Sequence, residues 1–303
     1  MKRETIIPRD RAHWLQLRVP NINGTEMASA FKVNPYGTLL ELYYRLKNKE
    51  VVEIEQTERM KCGTFLESPI AAMLAEKNGW TIRRMNEYMY LPEKRIGASF
   101  DYAIGDDAIL EIKNVDSLAY RDGWIVDEDG NIEAPPHIEI QFQVQLLVSG
   151  RKRGYIGALV GGNRLIEVER EQDLSVHEAI FKNSGDLWAM VDSGTPPEPD
   201  FPADAEFIAR FMNYAQPNKV MNIGDNYQIN SVAEEYRDLG QQIKSLEERR
   251  DTAKAKLLMA IGDHEKALGQ SFTISAGVVA GAHIEYDRKP YRTFKINWKK
   301  VSK

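Results

Sequence analysis

The feature that most constrains this fold is a pair of apolar runs that carry charged side chains. Residues 98–114 read ASFDYAIGDDAILEIKN, in which Asp101, Glu111 and Lys113 interrupt residues that a strand would bury. The turn Gly105-Asp106-Asp107 predicts that the two runs pair as a hairpin. Residues two apart in a strand share a face, so we expect Glu111 and Lys113 to point the same way, with Asp101 near Glu111 across the ladder.

Burying these charges requires compensation, because an unpaired buried carboxylate is costly. Lys113 supplies one positive charge, and a hard divalent ion such as Mg²⁺, which prefers oxygen ligands, is a natural second partner. A lysine beside a carboxylate-held metal can position a water for attack on phosphorus, while the metal stabilises the developing charge. On the hairpin alone, the alternative is a pair of solvated acids on an edge hairpin.

Length and composition exclude several classes of protein. The 303 residues, 43% apolar and 28% charged, indicate a globular protein of one large domain with an appendage, or of two domains. No run approaches the roughly 20 apolar residues of a membrane span, and the N-terminus lacks a signal-peptide core, so we expect a cytoplasmic protein with no membrane contact. A single cysteine, Cys62, excludes an internal disulfide and cysteine-rich metal sites. The net charge of −5 neither favours nor excludes nucleic acid.

The hydrophobic pattern predicts an α/β fold with a central mixed sheet flanked by helices. Thr25 is predicted to cap a helix through Phe31, and a segment from Gly63 to Lys77 is predicted to kink at Pro69 or to begin at Ser68. Further predicted helices are Thr38–Lys49, 137–150 and 176–191. The predicted strands are Tyr88–Leu91, Gly97–Ile104, Ala108–Lys113, Tyr155–Val160 and Arg164–Glu169.

The predicted domain boundaries follow a change in composition. Residues 1–192 are expected to form the core, 193–204 a proline-rich linker, and 205–303 an appendage with a helix and a β-rich tail. Between Tyr236 and Ala260, spacings of three and four predict a coiled-coil-like helix that packs on its own chain or pairs with another. Strand-like runs follow at Ser271–Ala276 and His283–Tyr286.

The last sixteen residues, RKPYRTFKINWKKVSK, contain seven Lys or Arg, no acid and three interleaved aromatic rings. One interpretation is a DNA-binding tail, in which Arg288, Lys289, Arg292 and Lys295 contact phosphates and the rings stack. The other is a basic edge strand whose aromatic side chains pack on the helix.

Three further motifs accompany the hairpin. Glu67 follows Gly63 in the helical region before the sheet, and residues 141, 143 and 145 are glutamines embedded among apolar residues. Buried glutamines require polar partners. Arg18 and Thr25 combine an arginine with a hydroxyl at a predicted helix start, which suits a phosphate.

Together these motifs resemble those of the YqaJ-like viral recombinases, which are nucleases of the lambda-exonuclease type within the PD-(D/E)XK superfamily. In order along the chain, the motifs are W-x₃-R-x₆-T, G-x₃-E, D-x₉-E-x-K and Q-x-Q-x-Q. The resemblance extends from about Trp14 to Val160. It implies a PD-(D/E)XK nuclease-like core with Asp101, Glu111 and the Ile112 carbonyl as metal ligands and Glu67 as a helix acid near them. It also implies that Lys113 activates water, that Gln141 orients the lysine or the water, and that Arg18 and Thr25 hold a terminal 5′-phosphate.

The function implied by the resemblance is a Mg²⁺-dependent 5′→3′ exonuclease, with Mn²⁺ as a substitute ion, that degrades double-stranded DNA ends for phage-type recombination. Such enzymes work with a single-strand annealing protein, often as homo-oligomers that include a trimeric ring. The alternatives are an endonuclease on the same core, or an inactive scaffold that binds or anneals DNA. The intact set of Glu67, Asp101, Glu111 and Lys113 argues against an inactive scaffold.

Overall fold

A computed structural model describes residues 1–53 and 55–281 of the chain. The polypeptide separates into two compact units, Met1–Ile208 and Ala209–Lys303. The proline-rich segment 193–204 falls within the first unit, and its role as a linker stays a prediction. In the described ranges, no helix combines the length and the apolar character that crossing a bilayer requires.

Capping side chains fix where several helices begin. Thr38 caps the helix predicted over Thr38–Lys49, because its hydroxyl accepts a hydrogen bond from the Glu41 N–H at 3.1 Å. The predicted cap at Thr25 is wrong, since the cap is Asn23, two residues earlier, and the Asn23 N–H donates to the Glu26 carboxylate at 2.9 Å in a capping box. The helices up to residue 211 are α1 Arg11–Arg18, α2 Gly24–Ala30, α3 Leu39–Asn48, α4 Glu58–Asn78, α5 Ser117–Gly123, α6 Pro136–Ser149, α7 Leu174–Ser193 and α8 Ala205–Phe211.

Helix α4 is longer than the sequence pattern indicates. It starts at Glu58 behind the cap Thr57 and continues through Pro69 for 21 residues, so the predicted start at Ser68 is wrong. Proline in a helix interior removes one backbone hydrogen bond and costs about 3 kcal/mol. The carbonyl that loses its partner belongs to Phe65, which is exposed to water, and this exposure lowers the cost.

A five-stranded mixed sheet forms the centre of the first unit, as predicted. Its strand order is β11-β10-β7-β6-β3, in which β7 and β10 are parallel and the other neighbours are antiparallel. Strand β7 therefore lies in the middle of the sheet, not at an edge. The strands are β3 Ile82–Arg84, β6 Tyr102–Ile104, β7 Ala108–Val115, β10 Arg153–Val160 and β11 Arg164–Glu171.

A second sheet has the order β1-β4-β5-β2, with β1 Glu4–Ile6, β2 Ile22–Asn23, β4 Tyr88–Leu91 and β5 Ile96–Ser99. The prediction of one strand over Gly97–Ile104 is wrong, because β5 and β6 belong to different sheets. The chain crosses between them at Phe100 and Asp101. The Asp101 carboxylate accepts the Ile112 N–H at 2.7 Å. If β6 were longer, a backbone carbonyl of β6 would accept the Ile112 N–H; here the Asp101 carboxylate takes its place. The β6–β7 ladder therefore ends at the pair Tyr102–Leu110.

The two faces of β7 pack against different helices. Leu110 and Ile112 belong to an apolar cluster with Ile70 and Leu74 of α4. Ile109 belongs to the larger cluster that includes residues of α6 and α7. Full burial of one large aliphatic side chain contributes about 1.5–3 kcal/mol, so helices on both faces hold β7 firmly in place.

The remaining elements are short strands and one long helix. In the first unit, β8 Ile125–Val126 pairs with β9 Ile132–Glu133. The second unit contains α9 Tyr227–Ile261, which confirms the predicted helix, and the antiparallel pair β12 Lys266–Leu268 and β13 Thr273–Ser275. The predicted strand His283–Tyr286 and the predicted DNA contacts Arg288, Lys289, Arg292 and Lys295 lie outside the described residues.

Candidate active site

Strand β7 carries the first two charged groups of the site. Glu111 and Lys113 point to the face that packs on α6, as their spacing predicts, and Lys113 Nζ lies 2.6 Å from Glu111 Oε1. Glu111 is only 6% exposed. The central position of β7 and this burial exclude the alternative of solvated acids on an edge hairpin.

Asp101 lies in the segment that connects β5 to β6. It is one residue beyond the last β6–β7 pair, Tyr102–Leu110, and opposite Glu111 in the register of that ladder. Burial raises the pKa of Asp101 well above its usual value, and the negative charge of Glu111 raises it further. Lys113 and the Ile112 N–H act in the opposite direction but do not outweigh these effects. Burial and the neighbouring Glu111 therefore both disfavour the ionised form of Asp101, which a further positive charge would stabilise.

Helix α6 turns two of its glutamines toward the carboxylate of Glu111. Gln141 Nε2 donates to Glu111 Oε1 at 2.6 Å, and Gln141 Oε1 accepts from Lys113 Nζ at 3.2 Å. Gln145, one helical turn later, donates to Glu111 Oε2 at 2.7 Å and to the Ser99 carbonyl at 2.9 Å. Gln143 faces away, toward the backbone of Glu171 and Asp173.

Glu67 approaches the same cluster from α4. Its carboxylate forms an ion pair with Arg84 of β3 at 3.0 Å. Burial raises the pKa of Glu67; the positive charge of Arg84 opposes this shift, and the charge of Glu111 adds to it. Glu67 is thus close enough to interact with Glu111, although its direct partner is an arginine that sequence reasoning did not identify.

The donor set fits a hard divalent cation in its chemistry. All three acids offer oxygen ligands, and the raised pKa values of Asp101 and Glu67 indicate that a further positive charge would stabilise their ionised forms. Both Glu111 oxygens already accept hydrogen bonds from Lys113, Gln141 and Gln145. Within residues 1–53 and 55–281, no three His, Cys, Asp or Glu side chains form a ready-made metal cluster.

The predicted phosphate ligands lie beside each other at the start of α2. Arg18 Nη2 lies within 3.5 Å of Thr25 Oγ1, and the Arg18 guanidinium stacks over the Trp14 ring at 4.5 Å. Gly24, next to Thr25, is packed so that a Cβ there would touch Gln141 at 3.5–3.6 Å. The arginine–threonine pair therefore lies directly beside the helix that supplies Gln141.

Sequence reasoning missed several residues around these groups. Gln145 could have been found, because residues four apart on a helix share a face and Gln141 was already selected. Trp14 Nε1 donates to Ser99 Oγ at 2.8 Å, and Ser99 also bonds Gln145, so Trp14 is connected to the site. Arg45 is almost fully buried and forms an ion pair with Glu26 at 2.8 Å. Its position in an amphipathic helix did not indicate that it would be buried.

Tyr36 and His137 flank the exposed side of Lys113 and were also missed. Their rings meet edge to face at 5.8 Å. Burial lowers the pKa of His137, and the positive charge of Lys113 lowers it further. Tyr36 is largely exposed, and it is close enough to Lys113 to interact with its charge.

Comparison with known proteins finds a family and a fold that these residues resemble. Residues 13–152 match the family described as the YqaJ-like viral recombinase domain. The uncharacterised protein YqaJ of Bacillus subtilis strain 168 is 26% identical over 246 residues, which cover 78% of this chain and 76% of that protein. The crystal structure of an alkaline exonuclease from Laribacter hongkongensis is 17% identical, with a TM-score of 0.50 over 61% of this chain and 94% of that one. The chain shares that fold, and its residues 13–152 are similar to the YqaJ-like viral recombinase domain.

Proposed function

We propose that the protein is a metal-dependent deoxyribonuclease that degrades linear double-stranded DNA from its ends in the 5′→3′ direction. The observation that carries the proposal is the buried Glu111 carboxylate, which Lys113 and Gln141 hold by hydrogen bonds close to a second buried acid, Asp101. Such an arrangement is unfavourable for stability alone and favourable where a cation and a phosphate bind.

Asp101 and Glu111 would hold Mg²⁺, or Mn²⁺ in its place, with the Ile112 carbonyl as a third ligand and Glu67 nearby. The bound ion would supply electrostatic stabilisation of the charge that develops on the scissile phosphate. Lys113 contributes a positive charge beside the same phosphate and orients the attacking water. Its hydrogen bonds to Glu111 and Gln141 fix the direction of Nζ, because both acceptors are held by strand and helix.

Arg18 and Thr25 would bind the terminal 5′-phosphate. A guanidinium offers a planar set of donors that matches phosphate oxygens, and the adjacent hydroxyl adds another donor. The stacking of Arg18 on Trp14 limits the directions that the guanidinium can take. Because Gly24 packs on Gln141, an end held at this pair would lie next to the hydrolytic groups, which favours an exonuclease over an endonuclease.

The family resemblance adds the biological setting of the proposal. The single strands produced would serve phage-type recombination with a single-strand annealing protein in the bacterial cytoplasm. The basic residues Arg288, Lys289, Arg292 and Lys295 would add nonspecific contacts to DNA phosphates.

A time course on two DNA substrates tests the proposal. Purified protein is incubated with linear duplex and with covalently closed circular duplex of the same sequence, in Mg²⁺ or in EDTA. We expect loss of linear DNA in Mg²⁺ only, and no cutting of the circles. Ready cutting of closed circles would replace the exonuclease with an endonuclease, and absence of cutting with Mg²⁺ or Mn²⁺ would support an inactive DNA-binding scaffold.

A further inference from the structure

Tyr36 presents an aromatic ring to solvent beside the candidate active site. Its side chain is 84% exposed, and its ring meets that of His137 edge to face, at 5.8 Å between centroids and 87° between planes. Such a contact occupies at most one face of the tyrosine ring, so the opposite face remains available to a further flat ligand.

The loop that carries Tyr36 is held by hydrogen bonds on both sides of it. Asn34 Oδ1 accepts the Tyr36 N–H at 3.0 Å, and Asn34 Nδ2 donates to Ser29 Oγ at 2.8 Å. The Ser29 hydroxyl in turn donates to the Gly37 carbonyl at 2.9 Å, and Ser29 is only 4% exposed. The buried serine of α2 thus fixes the backbone around Tyr36. An aromatic ring that is positioned in advance loses less conformational entropy when it binds a ligand.

Tyr36 and the arginine–threonine pair lie at different levels of α6. Tyr36 contacts His137, which is in the first turn of α6. Gly24, the first residue of α2, packs on later turns, where a Cβ on it would lie 3.5 Å from the Gln141 carbonyl oxygen and 3.8 Å from Val144. The arginine–threonine pair is at this same start of α2. The two places are therefore separated along the axis of α6.

Lys113 lies at the level of α6 between these two places. Its ammonium donates to the Gln141 side-chain oxygen at 3.2 Å, one helical turn after His137. Tyr36 and His137 are both close enough to Lys113 to interact with its charge. One helical turn advances about 5.4 Å, and a duplex strand advances about 3.4 Å per nucleotide. A strand held at the arginine–threonine pair and cut beside Lys113 would thus reach Tyr36 within about two nucleotides.

We propose that the Tyr36 ring, supported by His137, stacks on the base of the nucleotide that follows the scissile phosphate, and thereby positions that phosphate beside Lys113. The proposal rests on the proposed function, because its ligand is a DNA strand with its 5′ end in the site. Stacking of a base on an aromatic side chain contributes about 5- to 150-fold in affinity and tolerates every base, since each has a π face. This tolerance suits an enzyme that advances along DNA of any sequence.

The experiment compares 5′-phosphorylated linear duplexes that lack one base of the 5′-ended strand. Affinity for the full chain is measured by fluorescence anisotropy in EDTA, and kcat/KM for release of the first nucleotide is measured in Mg²⁺. Removal of the base at the second nucleotide should lower both by at least about fivefold for the wild type, and by less than about twofold for Tyr36→Ala. Removal of the base at the tenth nucleotide should affect the two proteins equally.

Two further variants separate stacking from other roles of Tyr36. Tyr36→Phe keeps the ring and should behave as the wild type, whereas a hydroxyl that binds phosphate would be lost in Tyr36→Phe as in Tyr36→Ala. Tyr227→Ala removes another tyrosine, 89% exposed in α9, and should retain the dependence on the second base. The Tm of Tyr36→Ala should match that of the wild type, because Asn34 bonds only the backbone N–H of Tyr36.

The outcomes distinguish this proposal from the proposed function. A wild type that digests linear duplex but is indifferent to the second base would overturn the stacking alone. So would a Tyr36→Ala variant that keeps the full dependence on that base, or a Tyr36→Phe variant that loses it. A chain that neither binds nor digests linear DNA would overturn both proposals.

Discussion

Gln145 Nε2 donates to Glu111 Oε2 at 2.7 Å inside the protein, and both residues are at most 6% exposed. The same amide also bonds the Ser99 carbonyl, so the carboxylate is held from the second sheet as well as from α6. The bond fixes the direction of the Glu111 oxygens before any ligand arrives. Gln145 is therefore a positioning residue for the proposed metal ligand.

Gln145→Ala should raise the Mg²⁺ concentration needed for half-maximal digestion by about 10- to 100-fold, because loss of a partner behind a ligand weakens metal binding to that extent. Titration of Mg²⁺ at fixed linear DNA measures the change. Gln143→Ala is the matched control, since Gln143 lies on the same helix but bonds the backbone at Glu171 and Asp173. An equal shift in both variants would mean that the helix is merely destabilised.

Asp101→Asn should reduce Mg²⁺-dependent digestion by at least about 10²-fold, the usual loss when electrostatic stabilisation is removed. Asparagine keeps an oxygen that can accept the Ile112 N–H, so the fold should persist. Asp106→Asn, in the exposed turn of the same hairpin, should retain activity. Near-normal digestion by Asp101→Asn at saturating Mg²⁺ would remove Asp101 from the metal site.

Lys113→Ala should lose turnover by at least about 10²-fold while still binding DNA ends, because in the proposed mechanism its charge acts on the reacting phosphate more than on affinity. Single-turnover cleavage and end binding, measured separately, distinguish the two effects. Lys152→Ala, an exposed lysine between α6 and β10, should change neither quantity. The assignment fails if binding collapses and the remaining complex cuts at the wild-type rate.

Arg18→Ala should abolish most of the preference for 5′-phosphorylated over 5′-hydroxyl ends while leaving metal-dependent cleavage measurable. A terminal phosphate carries about one more negative charge than an internal one, and we propose that Arg18 recognises it. Arg11→Ala is a suitable control, since Arg11 lies on the same helix and also approaches the Trp14 ring, at 5.9 Å. Equal wild-type rates on both ends would make Arg18 an ordinary surface residue.

Gly97→Ala should destabilise the first unit by about 1–3 kcal/mol, the usual penalty for overpacking. A Cβ at Gly97 would overlap the hydroxyl of Tyr88, which is buried and donates to Asn23 Oδ1 at 2.8 Å. Gly185→Ala, at an open position of α7, should instead stabilise by up to about 1 kcal/mol. Thermal unfolding followed by circular dichroism measures both. A similar change in Tm for the two variants would contradict the packing argument.

The sequence predicts those parts of the site that depend on local periodicity. A period of two places Glu111 and Lys113 on one face of β7, as predicted. The period of α6 likewise places Gln145 on the face of Gln141, although the site prediction named only Gln141 from this helix. The same logic predicts the mixed sheet and most helices. These features depend on residues that are neighbours along one element, so the pattern contains the information.

Features that depend on tertiary contacts were beyond sequence reasoning. The run from Gly97 to Ile104 alternates like a strand, yet the chain changes sheet at Asp101 because that carboxylate takes the Ile112 N–H. Arg45 resembles a solvated helix residue, but it bonds the carbonyls of Val19 and Asn21 from the preceding loop. Neither contact can be recognised from residue spacing or from composition.

The hydrogen bond from Ile112 to Asp101 makes one backbone proton a reporter of the whole site. Ile112 is buried, so its amide hydrogen should exchange slowly with solvent while the carboxylate remains its acceptor. Any ligand that draws the carboxylate away would change both the exchange rate and the magnetic environment of that proton. The state of the site could thus be observed in solution without a substrate and without turnover.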